Sequence, residues 1–310
     1  MSFYLAIDAG GTKADYALVD ENKILARVRS GTIKRMRVDA ETAGANLDTA
    51  MQELASLSGV DLRSVVRTCV GTAGETVPLV TDWLQRELSA AVGGELLIVG
   101  DVEIALDAAF PGQPGILVLA GTGSNVAGRT PHGQIFTSGG WGPILADQGS
   151  GSRIGYEALR ALFLAIDRGV ETSLLAAVLR FWELDSVADL VAFANTAPSP
   201  DFSRLVRLVT DSAQQGDAVA QSVLHQQGWE LAQLVILLLG RMRKHLNDES
   251  FAPRIAFAGS IMEKVHSVRD ALLEAVKGSH PELEGIDGVI DPLHGAIWRA
   301  RTGYAGAGAK

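Results

Sequence analysis

Phe3-Tyr4-Leu5-Ala6-Ile7-Asp8-Ala9-Gly10-Gly11-Thr12-Lys13 runs an apolar strand directly into a glycine-rich turn, with one carboxylate at the junction. Phe3, Leu5 and Ile7 alternate with Tyr4, Ala6 and Asp8, the period of a half-buried strand, so Asp8 emerges at its end. Gly10 and Gly11 let a ligand approach the main chain, whose N–H groups can take phosphate oxygens. Ala14 to Asp20 reads as a returning strand, which makes a hairpin. A Walker-type loop needs Gly-Lys-Ser/Thr opening a helix. Alone, the stretch suits metal-bound phosphate and an ordinary tight hairpin equally well.

At 310 residues the chain has room for two domains of ordinary size. Its 27 basic and 36 acidic residues give a net charge of -9, which argues against a nucleic-acid or anionic-membrane surface. Bound phosphate would therefore rely on backbone amides and a metal. The single cysteine, Cys69, sits in the apolar run Val65 to Val70 as a small buried hydrophobe, and one cysteine allows neither an internal disulfide nor a cysteine-built metal site. The start Met1-Ser2-Phe3-Tyr4 lacks a basic leader, and the longest apolar stretch, Leu234 to Leu239, is too short to span a membrane. A cytoplasmic protein is expected.

Beyond the hairpin, Leu47 to Leu57 has helical spacing, Val65 to Val70 reads as a strand, Val77 to Ala91 as a helix and Leu96 to Val99 as a strand. The loop Pro111-Gly112-Gln113-Pro114-Gly115 marks a boundary. After it, Ile116 to Ala120 enters Gly121-Thr122-Gly123-Ser124-Asn125, then Val126 to Arg129, a turn at Pro131-His132-Gly133, and Gln134 to Thr137. Strand, glycine turn and returning strand recur, which suggests an internal duplication with one hairpin per domain. Leu119 or Ala120 stands where the first copy has Asp8, so only the first copy could hold a metal. Ser152 to Asp167 is an amphipathic helix with Ser150 or Ser152 as its cap, and Asp217 to Leu246 is helical. Arg254 to Ala258 reads as a strand entering Gly259-Ser260, and Asp291 to Arg301 as a final helix. The expected domains are 1–111 and 112–292, with a C-terminal helix over about 293–310 packing back on the first.

Two glycine hairpins imply a cleft in which each grips part of a polyphosphate, and ATP with Mg2+ fits best. Asp8 would bind the ion, largely through water. Gly10, Gly11 and Thr12 would hold one phosphate region and Gly121, Thr122 and Gly123 the other, while Lys13 is either a phosphate neutraliser or an exposed turn lysine. In Leu96-Leu97-Ile98-Val99-Gly100-Asp101 a strand ends in Gly-Asp before a helix. Asp101 is either the cap of that helix or a general base for an attacking hydroxyl. Glu103 and Asp107 are weaker candidates inside the helix. Ser138-Gly139-Gly140-Trp141-Gly142-Pro143 and Asp147-Gln148-Gly149-Ser150 form a loop where Asp147 could accept sugar hydroxyls, unless Trp141 simply anchors the turn in the core.

These elements, in this order, resemble the BadF/BadG/BcrA/BcrD-type ATPase and N-acetylglucosamine kinase family of the actin, sugar kinase and heat-shock 70 superfamily. The resemblance rests on Asp8-Ala9-Gly10-Gly11-Thr12-Lys13, Gly100-Asp101, Gly121-Thr122-Gly123-Ser124-Asn125, Gly139-Gly140-Trp141-Gly142 and Asp147-Gln148-Gly149-Ser150. It implies an α/β protein of two ribonuclease H-like domains with an interdomain cleft, ATP and Mg2+ as cofactors, and Asp101 as the base. It also implies Asn125, Ser138, Gly140 and Asp147 beside the sugar, and Gly259 and Ser260 beside the adenosine. The chain departs from the family in Gly31-Thr32-Ile33-Lys34-Arg35-Met36, where an Asn is usual, and at Gln148, where an acid is usual.

The function expected is transfer of the ATP γ-phosphoryl to a hydroxyl, the 6-hydroxyl for preference, of N-acetylglucosamine or glucosamine. The partners are then an amino sugar and ATP, without nucleic acid or membrane, in a homodimer. The alternative is an ATPase that regulates a partner protein. A dinucleotide oxidoreductase is disfavoured because the second glycine string enters a hairpin, not a helix. A hydrolase or zinc enzyme lacks its Gly-x-Ser-x-Gly or His-Glu-x-x-His signature.

Overall fold

Leu5 and Ile7 are fully buried and anchor strand β1 (Phe3–Ala9) in the computed structural model, which describes residues 1–304. β1 pairs antiparallel with β2 (Lys13–Val19), placing Asp8 opposite Asp15, and β2 pairs antiparallel with β3 (Ile24–Gly31). Helix α1 (Ala40–Ser58) begins where Asp39 accepts the Thr42 N–H at 2.7 Å, and it ends in a left-handed Gly59. Its Ala43, Leu47, Ala50, Met51 and Leu54, spaced at helical period, pack with Leu5, Ile7, Tyr16 and Leu18.

Strand β4 (Val65–Thr72), helix α2 (Pro78–Ala91), strand β5 (Glu95–Val99) and helix α3 (Asp101–Ala109) complete the first sheet, ordered β3-β2-β1-β4-β5. β4 is parallel to β1 and β5 to β4. Two antiparallel steps also make β3 run with β1. The carboxyl ends of β1, β3, β4 and β5 therefore open on one edge of the sheet, which gathers Asp8, Thr32, Gly74 and Asp101 from four separate stretches of chain.

The second sheet holds β6 (Gly115–Ala120), β7 (Ser124–Arg129), β8 (Ile135–Ser138) and β9 (Ile255–Ala258), ordered β8-β7-β6-β9 with β9 parallel to β6. That order repeats the first four strands of the first sheet, as the paired glycine hairpins suggested. Helices α4 (Gly151–Arg168), α5 (Leu174–Phe181), α6 (Val187–Ala194), α7 (Val206–Gln214), α8 (Ala218–Leu246), α9 (Ser260–Lys264) and α10 (His266–Ser279) surround it. Ile116, Val118 and Val126 join Leu162, Leu231, Leu238 and Leu272 in its core. Ser150 caps α4 through the Arg153 N–H at 3.1 Å.

The chain divides into a first unit of Met1–Gly115, Arg129–Ile135 and Ile290–Lys310, and a second of Ile116–Gly128 and Phe136–Val289. The first break in that division follows Gly115, at the end of the loop Pro111 to Gly115, where the Phe110 ring covers Gly115 so closely that a Cβ there would lie 2.1 Å from it. Arg129–Ile135 groups with the first unit through Arg129, whose Nη1 donates to Asp107 at 2.6 Å and whose Nε donates to the Gln113 carbonyl at 3.0 Å. Helix α11 (Pro292–Thr302) belongs to the first unit and packs Leu293, Ala296, Ile297 and Ala300 against Ala6, Ala17 and Ile104. It ends at the left-handed Gly303, short of the expected 310, and residues 305–310 lie outside the described ones. No helix among the described residues is long and apolar enough to cross a membrane.

Candidate functional site

In the first unit, Asp8 is the half-buried penultimate residue of β1, and Ala9 follows it before the glycine turn. A Cβ on Gly10 would lie 2.9 Å from the Lys13 carbonyl oxygen, so the turn closes this tightly only around glycine. Thr32 Oγ1 donates to the Gly10 carbonyl at 2.7 Å and ties the segment after β3 to the turn. Gly11, Thr12 and Lys13 are exposed there, and Lys13 Nζ lies 3.8 Å from Asp15.

Asp101 reaches the same edge by another route. Gly100 is the N-cap of α3 and Asp101 its first helical residue, with Oδ1 accepting the Val102 N–H at 2.8 Å, so the reading of Asp101 as the cap is corrected. Its second oxygen has no protein hydrogen-bond partner among the described residues. Glu103 and Asp107 serve structure. Asp107 is fully buried, bonded to Arg129 Nη1 and to Arg299 Nε, while Arg299 Nη2 reaches Glu103 at 2.8 Å.

Burial, reinforced by the charges of Asp101, Asp15 and Asp291 and opposed by Lys13, pushes the Asp8 carboxyl up to about 7. Among the described residues no group of three His, Cys, Asp or Glu side chains is arranged to hold an ion. Mg2+ suits such a place, because it keeps most of its waters and asks for one or two carboxylates. The crowded negative charge around Asp8 is what a divalent cation relieves. With a folded value near 7 and an ordinary one of 3.8, Asp8 favours the folded state below about 4, and that contribution is lost as pH rises through 7. In chelator, the melting temperature of Asp8→Asn should therefore gain on that of the wild-type protein between pH 4 and 8. A difference that is flat with pH would refute this.

The second unit gathers another set. Gly121, Thr122 and Gly123 turn between β6 and β7, and the Gly121 carbonyl accepts the Gly151 N–H at 2.7 Å. Gly259 precedes α9 with φ 91°, and a Cβ there would lie 2.3 Å from the Ala120 carbonyl oxygen. Gly259→Ala should thus cost about 2 kcal/mol or more in urea denaturation. A loss under about 0.5 kcal/mol would show that the two turns separate readily.

Gly121, Thr122 and Ser260 line one cavity of about 610 Å³, together with Arg204, Arg207 and Thr210. That volume suits a nucleoside. The residues at 204–210 escaped sequence reasoning because polar residues at helical spacing read as an ordinary solvated face. A somewhat larger cavity of about 670 Å³, lined by Tyr156, Phe202 and Glu230, touches none of the candidate residues.

Asn125 and Asp147 also converge on this unit's turns. A Cβ on Gly140, whose φ is 73°, would lie 3.1 Å from Asn125 Cγ, and one on Gly123 would lie 3.1 Å from Asp147 Oδ2. Burial raises the Asp147 carboxyl above its ordinary range, against the pull of the Gly142 and Ser124 amides. Ser124 Oγ, Asn125 Oδ1 and Gln148 Oε1 are buried without protein partners, which leaves three polar atoms able to bond water or a hydroxyl-bearing ligand. Ser138 ends β8, and no side-chain hydrogen bond joins it to these residues among the described ones. Trp141 is 73% exposed, which removes the reading of it as a core anchor.

A family model, the BadF/BadG/BcrA/BcrD ATPase family, matches residues 5–299. An N-acetylmuramic acid/N-acetylglucosamine kinase of Clostridium acetobutylicum is 28% identical, covering 97% of this chain and 99% of its own. An N-acetyl-D-glucosamine kinase of Dictyostelium discoideum is also 28% identical, covering 94% and 96%. A ROK family glucokinase from Streptomyces griseus, solved in complex with glucose and AMPPNP, shares the fold with a TM-score of 0.58 at 16% identity, covering 96% and 98%.

Proposed function

Because the chain belongs to the BadF/BadG/BcrA/BcrD ATPase family, we propose that it is an ATP-dependent kinase for an amino sugar, transferring the γ-phosphoryl to the 6-hydroxyl of N-acetylglucosamine or glucosamine. The observation that carries the reading is the pair of glycine turns at matching places in two sheets of matching order, with Asp8 and Asp101 together on the edge of the first. The kinases named among the relatives support the substrate class.

In this reading the turn amides of each unit take part of the phosphate chain, and Ser260 with the cavity beside it takes the nucleoside. Asn125, Ser138, Gly140 and Asp147 orient the sugar. Asp8 would hold Mg2+, which would supply positive charge to neutralise the phosphates. The sugar oxygen bonds to the γ-phosphorus, its proton passes to the free oxygen of Asp101, and the bond to the β-phosphate oxygen breaks, releasing ADP. In a loose transition state the positioning and charge stabilisation contributed by the turns outweigh proton removal.

ADP release measured with N-acetylglucosamine, glucosamine, N-acetylmannosamine and glucose tests the reading, with phosphorus–proton coupling in the product locating the ester. Turnover should rise well above the sugar-free rate with at least one amino sugar. A rate independent of every sugar would point instead to an ATPase that acts on a partner protein.

A further inference from the structure

Gln227 interrupts the apolar stripe of helix α8. Among the described residues that α8 buries, Gln227 and Arg243 are the polar ones, and Gln227 is 1% exposed on the core face it shares with Leu224 and Leu231. A buried amide in such a stripe costs free energy unless both its groups are paired. Arg243 ties its own end of the unit together, through the Phe251 carbonyl at 2.9 Å and Glu282 at 2.7 Å. Gln227 reaches a different place. Its Oε1 accepts the Gly149 N–H at 2.9 Å across 78 residues of chain, and its Nε2 donates to Glu230 Oε2 at 3.3 Å.

The Gly149 N–H belongs to the turn that carries Asp147. The Ser150 N–H closes that turn on the Asp147 carbonyl at 3.0 Å, and Gly149, with φ 70°, supplies the positive angle that a type II turn needs at its third residue. A Cβ on Gly149 would lie 2.2 Å from Leu231 Cδ1, one helical turn beyond Gln227, so this face of α8 holds the turn by contact as well as by hydrogen bond. After the turn, the chain is secured by other bonds. The Gly151 and Ser152 N–H groups donate to the Gly121 and Thr122 carbonyls at 2.7 and 3.3 Å, and Ser150 caps α4. Within it lie Gln148, whose Oε1 is buried without a protein partner, and the buried Asp147.

We propose that Gln227 is a positioning residue for the acceptor: by holding the central peptide of the turn at 147–150, it fixes the Asp147 carboxylate where a sugar hydroxyl meets it. This rests on the kinase reading above. Gln227 acts through Asp147 rather than on the reacting atoms. Because the bonds of Gly151 and Ser152 keep the Gly121 and Thr122 turn in place without it, the effect falls on acceptor affinity and spares ATP.

Gln227→Met keeps the length of the side chain and removes the hydrogen-bond acceptor. In the full chain it should raise KM for the best of the four sugars named above about 5- to 50-fold, while kcat and KM for ATP change less than about threefold. A merely structural bond would lower thermal stability and the active fraction and leave both KM values in place. Gln227→Glu combined with Glu230→Gln exchanges the two groups, so that a carboxylate accepts the Gly149 N–H and an amide donates to it from position 230. That pair should bring the sugar KM back to within about threefold of wild type. If Gln227→Met yields no folded protein, Gln227→Asn, which withdraws the amide by one carbon, carries the same expectation. A sugar KM moved less than about twofold, an equal rise in KM for ATP, or an exchanged pair that restores nothing overturns the proposal. If none of the four sugars speeds ADP release, the kinase reading fails by itself. Calorimetric binding of the same sugars without ATP then decides: affinity lost in Gln227→Met and regained in the exchanged pair upholds the positioning role, whereas binding that is absent in the wild type or unchanged by Gln227→Met overturns it.

Discussion

Asp101→Asn should lower sugar-dependent kcat about 100- to 10,000-fold while changing the KM for ATP by less than about threefold. The amide keeps the shape and can still accept the Val102 N–H that holds Asp101 at 2.8 Å, so helix α3 starts as before. What is lost is an oxygen able to take the sugar proton. Because positioning and charge carry most of a phosphoryl transfer, the residual rate should stay measurable. Steady-state ADP release with and without sugar separates the effects. Turnover within tenfold of wild type would remove Asp101 from the role of base.

Asp107→Ala should destabilise the protein by about 3–5 kcal/mol, because it strands two guanidinium groups in the interior. Arg129 and Arg299 are 2% and 1% exposed and both bond Asp107, which is fully buried. Arg299 Nη1 already lacks a partner, and Glu103 holds only one edge of that guanidinium at 2.8 Å. Helix α11 meets α3 at Gly295, where a Cβ would lie 1.8 Å from the Ile104 carbonyl oxygen, so there is little room for water to enter and rescue the charge. Urea denaturation measures the loss. A cost below about 1 kcal/mol would mean that the arginines rehydrate locally.

Several features were legible because they are local. The alternation through Phe3 to Asp8 marked the strand and its buried Leu5 and Ile7, although Ala6 is fully buried against α11 on the other face, so β1 is covered on both sides and not half-buried, and Asp39 with Gly59 bracket a helix whose apolar spacing was plain. The repeat of strand, glycine turn and strand was visible by its spacing and returns as two sheets of like order. Asp101 was less legible. Gly-Asp at a strand-to-helix junction reads as a cap, and only the backbone shows that Gly100 takes that place and leaves one Asp101 oxygen without a partner among the described residues.

Sequence alone determined the sheets, the hairpins, the family and the residue types at the glycine turns, since each depends on periods of two or 3.6 residues or on glycine in a short string. Tertiary structure decided which charges are solvated and which are structural. Asp107 and Arg299 lie 192 residues apart and meet only because α11 returns to pack on α3. Arg27 and Asp291, 264 residues apart, meet at 2.8 Å for the same reason. Pairing of charges over such distances is set by the packing of apolar faces, and no local pattern in the chain encodes it.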